Sequence, residues 1–285
     1  MHVDETAREG GDAGGLAEAR RLYERGLYLQ AWRAARPAGP LPDWQGLDGR
    51  ILAAQLAFQL GNQPLATRLH LRLRRLHPES EQAFCWAVRA VRARRGPYAA
   101  LELLRRGGPD PEPGAELLAL QASTLGMMKD FLEAERLLER AAALDPSDAW
   151  VQMERSQVLR DADDYAGALQ AADESLRLRP DYRPALEARA DLLVLLERED
   201  EAMALLAGAV SRFESAGIAW ALLGLQEERG DVEGAEAALA RIEELTPLRT
   251  RGYVKYLARR RSDLAWLRGD RQATVRLARA STAGR

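Results

Sequence analysis

The feature of this chain that most constrains its fold is the segment 115–146, whose pattern recurs 34 residues later at 149–180. Numbered from residue 115, small residues stand at positions 8, 20 and 27, an aromatic residue at 17 and a proline at 32. These are Ala122, Ala134, Ala141, Phe131 and Pro146 in the first copy, and Ser156, Ala168, Ser175, Tyr165 and Pro180 in the second. A fixed period of this length indicates stacked supersecondary repeats, each of which buries its apolar face against its neighbours.

The same frame extends in both directions. Two periods earlier a repeat begins at Leu47, and the repeat after it is cut short by Gly107, Gly108 and three prolines, which end helices. The repeat from residue 183 has Glu214 where the closing proline is expected. In the next one Gly224 and Gly230 are six residues apart instead of seven, which predicts a slightly shortened first helix.

This pattern resembles the tetratricopeptide repeat. The resemblance implies an all-α fold, a right-handed solenoid of stacked antiparallel helix pairs with about six to seven repeats of 34 residues. On this basis we expect the solenoid to cover residues 16–280. The expected repeats are 16–46, 47–80, 81–114, 115–148, 149–182, 183–216 and 217–250, followed by capping helices over 251–280.

The two ends of the chain depart from the repeat pattern. Residues 1–15 are rich in Gly, Asp and Glu and lack apolar periodicity, so we predict a disordered leader. After residue 250 the sequence predicts a basic helix to about Arg268, a turn at Gly269 and Asp270, and a closing helix to about Ala280. We expect this last pair to cap the array.

Composition excludes several functional classes. The formal net charge is -2, so we expect no overall attraction to nucleic acid or to an anionic membrane. Cys85 is the only cysteine, which rules out an intramolecular disulfide framework. The first residues lack the basic start and apolar core of a signal peptide, and no run approaches the roughly 20 apolar residues needed to cross a bilayer. We therefore expect a cytoplasmic location.

The resemblance also implies a site. In this fold the first helix of each repeat lines a concave groove, at positions 2, 5, 6, 9, 12 and 13. We expect a groove that is basic toward the N-terminus, small and apolar in the middle at Ala119, Ser123 and Gly126, and acidic beyond, suited to a peptide of opposite polarity. The residues predicted to bind the peptide are Arg89, Arg92, Met127, Trp150, Met153, Gln157, Arg160, Glu187 and Asp191.

The sequence offers no convincing catalytic or metal site, so we predict a non-catalytic chain without a cofactor. Cys85 lies in a helical run with no histidine nearby in sequence to activate it. His70 and His77 are two helical turns apart, too far to share a metal, and no further ligands complete a zinc site. The Lys and Asn residues with which some tetratricopeptide proteins bind chaperone C-termini do not occur at the corresponding positions.

Several alternatives stay open at this level. Trp150 either projects into the groove or packs against the neighbouring repeat. The arginines between residues 68 and 95 are dense enough to suggest a nucleic-acid-associated factor, although few aromatic residues accompany them. The segments Gly26–Ala31 and Gly49–Ala53 resemble the start of bacterial repeat arrays that precede bacteriocin-processing, papain-like peptidases. No peptidase domain is present here, so that reading predicts a substrate-recruiting module.

Overall fold

The structure is a computed structural model that describes residues 6–109 and 112–282, with side chains described from residue 14 onward. The described residues form sixteen α-helices that pack in pairs. They are α1 (Thr6–Glu24), α2 (Tyr28–Ala34), α3 (Leu47–Gln59), α4 (Gln63–Leu76), α5 (Glu81–Arg95), α6 (Pro97–Arg105), α7 (Ala115–Gly126), α8 (Phe131–Leu144), α9 (Ala149–Asp161), α10 (Tyr165–Leu178), α11 (Arg183–Leu195), α12 (Glu199–Arg212), α13 (Ala216–Glu228), α14 (Val232–Leu245), α15 (Arg251–Leu267) and α16 (Arg271–Thr282).

The small residues of the repeat are buried where the helices meet. Ala122, Ala134 and Ala141 are fully buried in one apolar cluster between α7 and α8. Ser175, at the position equivalent to Ala141, is also fully buried and donates a hydrogen bond to the carbonyl oxygen of Ala149, 2.7 Å away. These contacts confirm that the recurring small residues set the distance between paired helices.

The turn between the two helices of a repeat has the same backbone conformation in successive repeats. Counted from the first residue of the first helix, the fifteenth residue has a positive φ in five repeats: Gly61 (92°), Lys129 (66°), Asp163 (62°), Glu197 (60°) and Gly230 (70°). The helix that follows is then capped by an aspartate in three repeats. Asp130, Asp164 and Asp231 each accept a hydrogen bond from the backbone N–H three residues later, which satisfies a donor that the helix itself leaves free.

Contacts divide the described chain into two compact units. Compact unit 1 contains residues up to 44, residues 52–66 and residues from 206 onward, and is therefore discontinuous in sequence. Hydrogen bonds join its distant parts. The Glu214 N–H donates to the Gly26 carbonyl oxygen over 2.8 Å, and the Leu248 N–H donates to that of Leu60 over 3.0 Å.

Glu214 also caps helix α2 from 185 residues away. Its carboxylate accepts hydrogen bonds from the backbone N–H groups of Leu29 (2.8 Å) and Gln30 (3.0 Å) and from the Gln30 side-chain amide (3.0 Å). Leu27, the residue that precedes α2, supplies no side-chain cap of its own. The residue that replaces the closing proline of its repeat thus serves as the cap of the N-terminal helix pair.

Compact unit 2 contains residues 45–51 and 67–205. Its repeats place their first helices, α5, α7, α9 and α11, side by side, and the α7–α9 contact is the most extensive of these. Val151 and Val158 of α9 join the apolar cluster between α7 and α8. Helices α7 and α9 therefore share one apolar core with α8.

Two sequence predictions are wrong. Helix α13 has 13 residues, as α9 and α11 do, so it is not shortened. The missing residue was lost from the preceding linker, which is 213–215 where the earlier repeat has 179–182. Helix α1 begins at Thr6, so residues 6–15 of the predicted disordered leader are helical, because a helix anchored by a packed segment extends at little cost. Residues 1–5 lie outside the described residues.

The other predicted elements agree with the structure. Helix α6 has only nine residues, as the glycines and prolines after it predict. The basic helix, the turn at Gly269 and the closing helix occur as α15 and α16. Trp220 packs against an apolar cluster and donates its indole N–H to the Tyr253 hydroxyl over 2.9 Å.

Candidate functional site

A polar stripe runs along helix α9 in compact unit 2. It consists of Trp150, Glu154, Gln157 and Asp161, whose spacing of four, three and four residues places them on one side of the helix. The Gln157 side-chain amide donates to Asp161 over 3.0 Å. Three buried atoms of this stripe have no hydrogen-bond partner: Trp150 Nε1, Glu154 Oε1 and Asp161 Oδ2.

Arg89 of α5 reaches this stripe and stacks between two indole rings. Its guanidinium carbon lies 4.8 Å from the centre of the Trp86 ring and 4.2 Å from that of Trp150. The ring of His70 is stacked on the Trp86 ring at 4.8 Å with an interplanar angle of 7°. An ion pair with Glu116 of α7 at 2.8 Å fixes the guanidinium in place. Four aromatic or planar groups from α4, α5 and α9 thus form one stack.

Glu154 is the most buried charged residue of the site, with 1% of its surface exposed. Burial raises the pKa of its carboxyl group, against the opposing effects of the Arg92 guanidinium and of a hydrogen bond with Ser123. Arg92 itself donates to the hydroxyl oxygens of Ser123 (2.7 Å) and Thr124 (3.4 Å), and burial lowers its pKa. Because both charged groups are desolvated, they stabilise one another only while the surrounding hydrogen bonds hold.

The small residues of α7 explain why side chains of α5 and α9 meet. Ala119, Ser123 and Gly126 are all buried, and a Cβ added to Gly126 would lie 3.0 Å from a methyl group of Val158. Larger residues here would hold α5 and α9 apart. The predicted small, apolar middle of the groove is therefore not an open surface, because Arg89 and Trp150 meet in this region.

The predicted site residues separate into two groups. Arg89, whose side chain is 13% exposed, and its neighbours Arg92 and Trp150 are held by the contacts described above. Trp150 is half-buried and packs against the core of α7 and α8. The remaining predicted residues keep solvent-accessible surface on α7, α9 and α11: Met127, Met153, Gln157, Arg160, Glu187 and Asp191.

Charges in the second group are mixed. The Arg160 guanidinium lies 3.9 Å from the Asp161 carboxylate. Partial desolvation raises the pKa of Asp191 on the neighbouring helix, and the positive charge of Arg160 opposes this effect. Met127 is 43% exposed at the end of α7 and adds an apolar surface. Cations, carboxylates and thioethers therefore alternate across this face.

The sequence analysis missed Glu154 and Glu116, and it considered His70 only as a metal ligand. Glu154 stands at position 6 and Glu116 at position 2 of their repeats. Both positions belong to the groove-lining set, so the repeat frame was sufficient to predict these two residues. His70 lies on α4, a second helix, and no repeat position marks it. Only the fold brings its ring to Trp86.

The chemistry of the candidate nucleophile and metal ligands can be read from their surroundings. Cys85 is fully buried, and burial raises the pKa of its thiol to about 12, so the thiolate needed for nucleophilic attack does not form near neutral pH. Burial, together with Arg89, lowers the pKa of His70 to about 4. Within 6–109 and 112–282, no group of three or more His, Cys, Asp or Glu side chains is arranged to hold a metal ion.

None of the helices described has the length and apolar character required to span a membrane.

Comparison with known proteins identifies the fold. No protein-family profile matches the chain, and no curated protein is significantly similar to it in sequence. A tetratricopeptide repeat protein from Parabacteroides merdae ATCC 43184 superposes with a TM-score of 0.51 at 14% identity, over 87% of this chain and 97% of that one. Two monomeric mutants of IFIT1, one solved with m7Gppp-AAAA and the other with Gppp-AAAA, each superpose with a TM-score of 0.60 at 13% identity, over 90% of this chain and 66% of the IFIT1 chain.

These similarities show a tetratricopeptide-like helical repeat fold, as the 34-residue period predicts.

Proposed function

We propose that the chain is a non-catalytic adaptor that binds a protein or peptide through one face of compact unit 2. This peptide face consists of the accessible predicted residues Met127, Met153, Gln157, Arg160, Glu187 and Asp191. Helical repeats of this kind generally offer partners a preformed surface, and a preformed surface loses little conformational entropy when it is occupied. We also propose that the array covers residues 16–280 in the repeats predicted above and that the protein is cytoplasmic.

The observation that carries this proposal is the polar stripe of α9. The side of a helix that served packing alone would be apolar, whereas this one has Glu154, Gln157 and Asp161 in a row. Buried polar atoms in proteins nearly always have partners, yet Trp150 Nε1 and Asp161 Oδ2 have none within the described chain. Such a stripe suits a ligand that presents hydrogen-bond donors as well as acceptors, as an extended peptide backbone does.

The stack beneath the face supports the same proposal. Arg89 is held by Glu116 and by two indole rings, so it anchors α5 and α9 in a fixed relation. A fixed relation between the first helices keeps Met153, Gln157 and Arg160 in place for a ligand. In this account Arg89 and Arg92 position the site, Trp150 and Asp161 offer their unpartnered polar atoms to the ligand, and the six accessible residues contact it as well.

The proposal is tested by selecting ligands from a displayed library of random peptides on the immobilised chain. The affinities of the selected peptides are then measured by fluorescence anisotropy for the wild type and for the double variant Arg160→Ala/Asp191→Ala. We expect the affinity of the variant to fall by about tenfold, since the loss of two ligand contacts at an interface commonly amounts to 1–2 kcal/mol.

The matched control changes one arginine and one carboxylate on α10, the second helix of the repeat that contains Arg160. Arg177 and Glu174 of α10 form an exposed pair, so the double variant Arg177→Ala/Glu174→Ala removes equal charge elsewhere. The control should bind as the wild type does. Two results would exclude the peptide face as the site: an equal loss of peptide affinity in both double variants, or an unchanged affinity in Arg160→Ala/Asp191→Ala.

A second candidate, a nucleic-acid-associated factor, has one observation in its favour, the fold similarity to IFIT1 structures that contain capped oligonucleotides. The electrostatics of the site do not favour it, since Arg89 and Arg92 are engaged within the protein. Titration with a random single-stranded RNA at two salt concentrations distinguishes the two functions. Tight binding that weakens steeply with salt would support the nucleic-acid function.

The alternative of a substrate-recruiting module for a bacterial peptidase remains a prediction from the sequence. It makes the same claim about the peptide face and adds a peptidase as a further partner. A selected peptide that a neighbouring peptidase cleaves would support it.

A further inference from the structure

A second exposed surface lies on the last described helix pair, in compact unit 1. On α15, Lys255, Arg259 and Trp266 are separated by four and seven residues and therefore lie on one side of the helix, next to Ser262, which is buried and donates a hydrogen bond to the Thr274 carbonyl oxygen of α16. They lie on the side away from Leu257 and Leu264, which pack against α13 and α14. On α16, Arg271, Val275 and Arg279 recur every four residues and line its open side. We name these six residues the terminal face.

The terminal face is strongly basic. Residues 251–282 contain nine basic and two acidic side chains, a net charge of +7 in a chain whose formal net charge is -2. Three of the nine are paired with carboxylates of α13 and α14: Arg260 with Glu227, Arg261 with Glu243 and Arg268 with Glu236. The other six have no ion-pair partner among the described residues. They are Arg251, Lys255, Arg259, Arg271, Arg276 and Arg279.

The terminal face and its margins also expose apolar side chains. Trp266 is 63% exposed and Val275 is 49% exposed, and the neighbouring Leu267 is 57% exposed. Helix α16 has no buried residue along its whole length. In contrast, the helix pairs within the array bury their alanines and leucines against the next pair, as α7 and α8 do against α9. The last pair thus keeps the apolar residues of a packing surface that no described helix covers.

We propose that the terminal face binds an acidic amphipathic helix of a partner protein. A helix that packed here would continue the stacking of helices along the array. It would cover Trp266 and Val275 with its apolar side, while its carboxylates would pair with Lys255, Arg259, Arg271 and Arg279. Tryptophan and arginine are also the residue types that most often dominate protein–protein binding energy.

The composition of the face favours this occupant over other anions. Nucleic acid would use the cations but gain nothing from an exposed valine or leucine. An anionic membrane would require more apolar surface than α16 offers, because its open side has one valine among charged and polar residues. An acidic helix uses both the charged and the apolar groups.

The test uses the full chain and a displayed library of 18-residue helical peptides with Leu, Val or Ala on one side and Glu, Gln or Lys on the other. We expect the wild type to enrich strongly acidic members. The triple variant Lys255→Glu/Arg259→Glu/Arg279→Glu should lose about tenfold or more of their affinity, since it places like charges opposite the carboxylates of the peptide. The single variant Trp266→Ala should weaken binding without changing the charge preference.

The matched control reverses three exposed cations of α8 and α10, in Arg136→Glu/Arg140→Glu/Arg177→Glu, and should bind normally. The double variant of the peptide face, Arg160→Ala/Asp191→Ala, should also bind the acidic helices normally, so that failure of either proposal is distinguishable from failure of the other. Three results would overturn the proposal: enrichment of neutral or basic peptides, tighter binding to single-stranded RNA than to any acidic helix, or tighter binding to anionic phosphatidylglycerol vesicles.

Discussion

The contact between Glu214 and helix α2 leads to a quantitative prediction about the stability of compact unit 1. The carboxylate accepts hydrogen bonds from the N–H groups of Leu29 and Gln30, which are the second and third residues of α2. These are the donors that an N-cap side chain normally satisfies. Because no other side chain caps this helix, Glu214→Ala leaves the N–H of the buried Leu29 without a partner and leaves the exposed N–H of Gln30 to water.

The expected loss follows from the number and kind of these bonds. A hydrogen bond to a charged group contributes about 1.5–3 kcal/mol, and removal of an N-cap costs about 0.5–2 kcal/mol. The third bond, from the exposed Gln30 amide, adds little because water replaces it. We therefore expect Glu214→Ala to lower the free energy of unfolding by about 2–3 kcal/mol.

Urea unfolding followed by circular dichroism measures the change in stability, and hydrogen exchange of the amides at Leu29 and Gln30 locates it. Glu214→Gln keeps one acceptor oxygen and should lose about half as much. Glu228, exposed on α13 in the same compact unit and without a hydrogen bond or ion pair, provides the control, and Glu228→Ala should change stability by less than about 0.5 kcal/mol. Unchanged stability and unchanged exchange in Glu214→Ala would refute the reasoning.

Three further predictions follow from single residues. Gly224→Ala should stabilise the protein by about 0.4–1 kcal/mol, since nothing lies within 4 Å of the added Cβ. Gly126→Ala should destabilise it by about 1–3 kcal/mol, because the added Cβ would lie too close to Val158 of α9. Thermal unfolding of the two variants measures both changes. Cys85 should resist alkylation by iodoacetamide in the native protein and react once it is unfolded, and rapid native labelling would contradict its burial. The pKa of His70 is lowered to about 4, so the unfolded chain binds its proton first as the pH falls below about 6.5; stability should drop between pH 6.5 and 4, and His70→Phe should flatten that dependence.

The repeat frame predicted the parts of the fold that local sequence determines. Small residues at fixed positions, such as Ala122 and Ala134, determine how closely paired helices approach. Their period therefore also predicted where the helices begin and end. The spacing of Gly224 and Gly230 indicated that this repeat lacks one residue, but it did not show where the residue is missing. The deletion lies in the linker before α13, because the helix keeps its length and its turn keeps a residue of positive φ.

Contacts between distant residues were beyond the reach of the frame. Glu214 was recognised as a departure from the pattern, yet its partners are 184 and 185 residues away and only the fold of compact unit 1 brings them together. The stack of His70, Trp86, Arg89 and Trp150 is a similar case. The frame placed Arg89 and Trp150 on the same side of the array, but could not show that α7 is small enough for them to touch and fill the middle of the predicted groove.

The most direct test of the central claim, that the first helices of compact unit 2 bind a peptide, is site-specific photo-crosslinking. Gln157 lies on the peptide face of α9, and Gln170 is exposed on α10 of the same repeat, so a benzophenone amino acid can replace either glutamine in turn. With a peptide selected on the wild type, the account predicts a crosslinked product from position 157 and none from position 170. Crosslinking from position 170 with none from position 157 would contradict it.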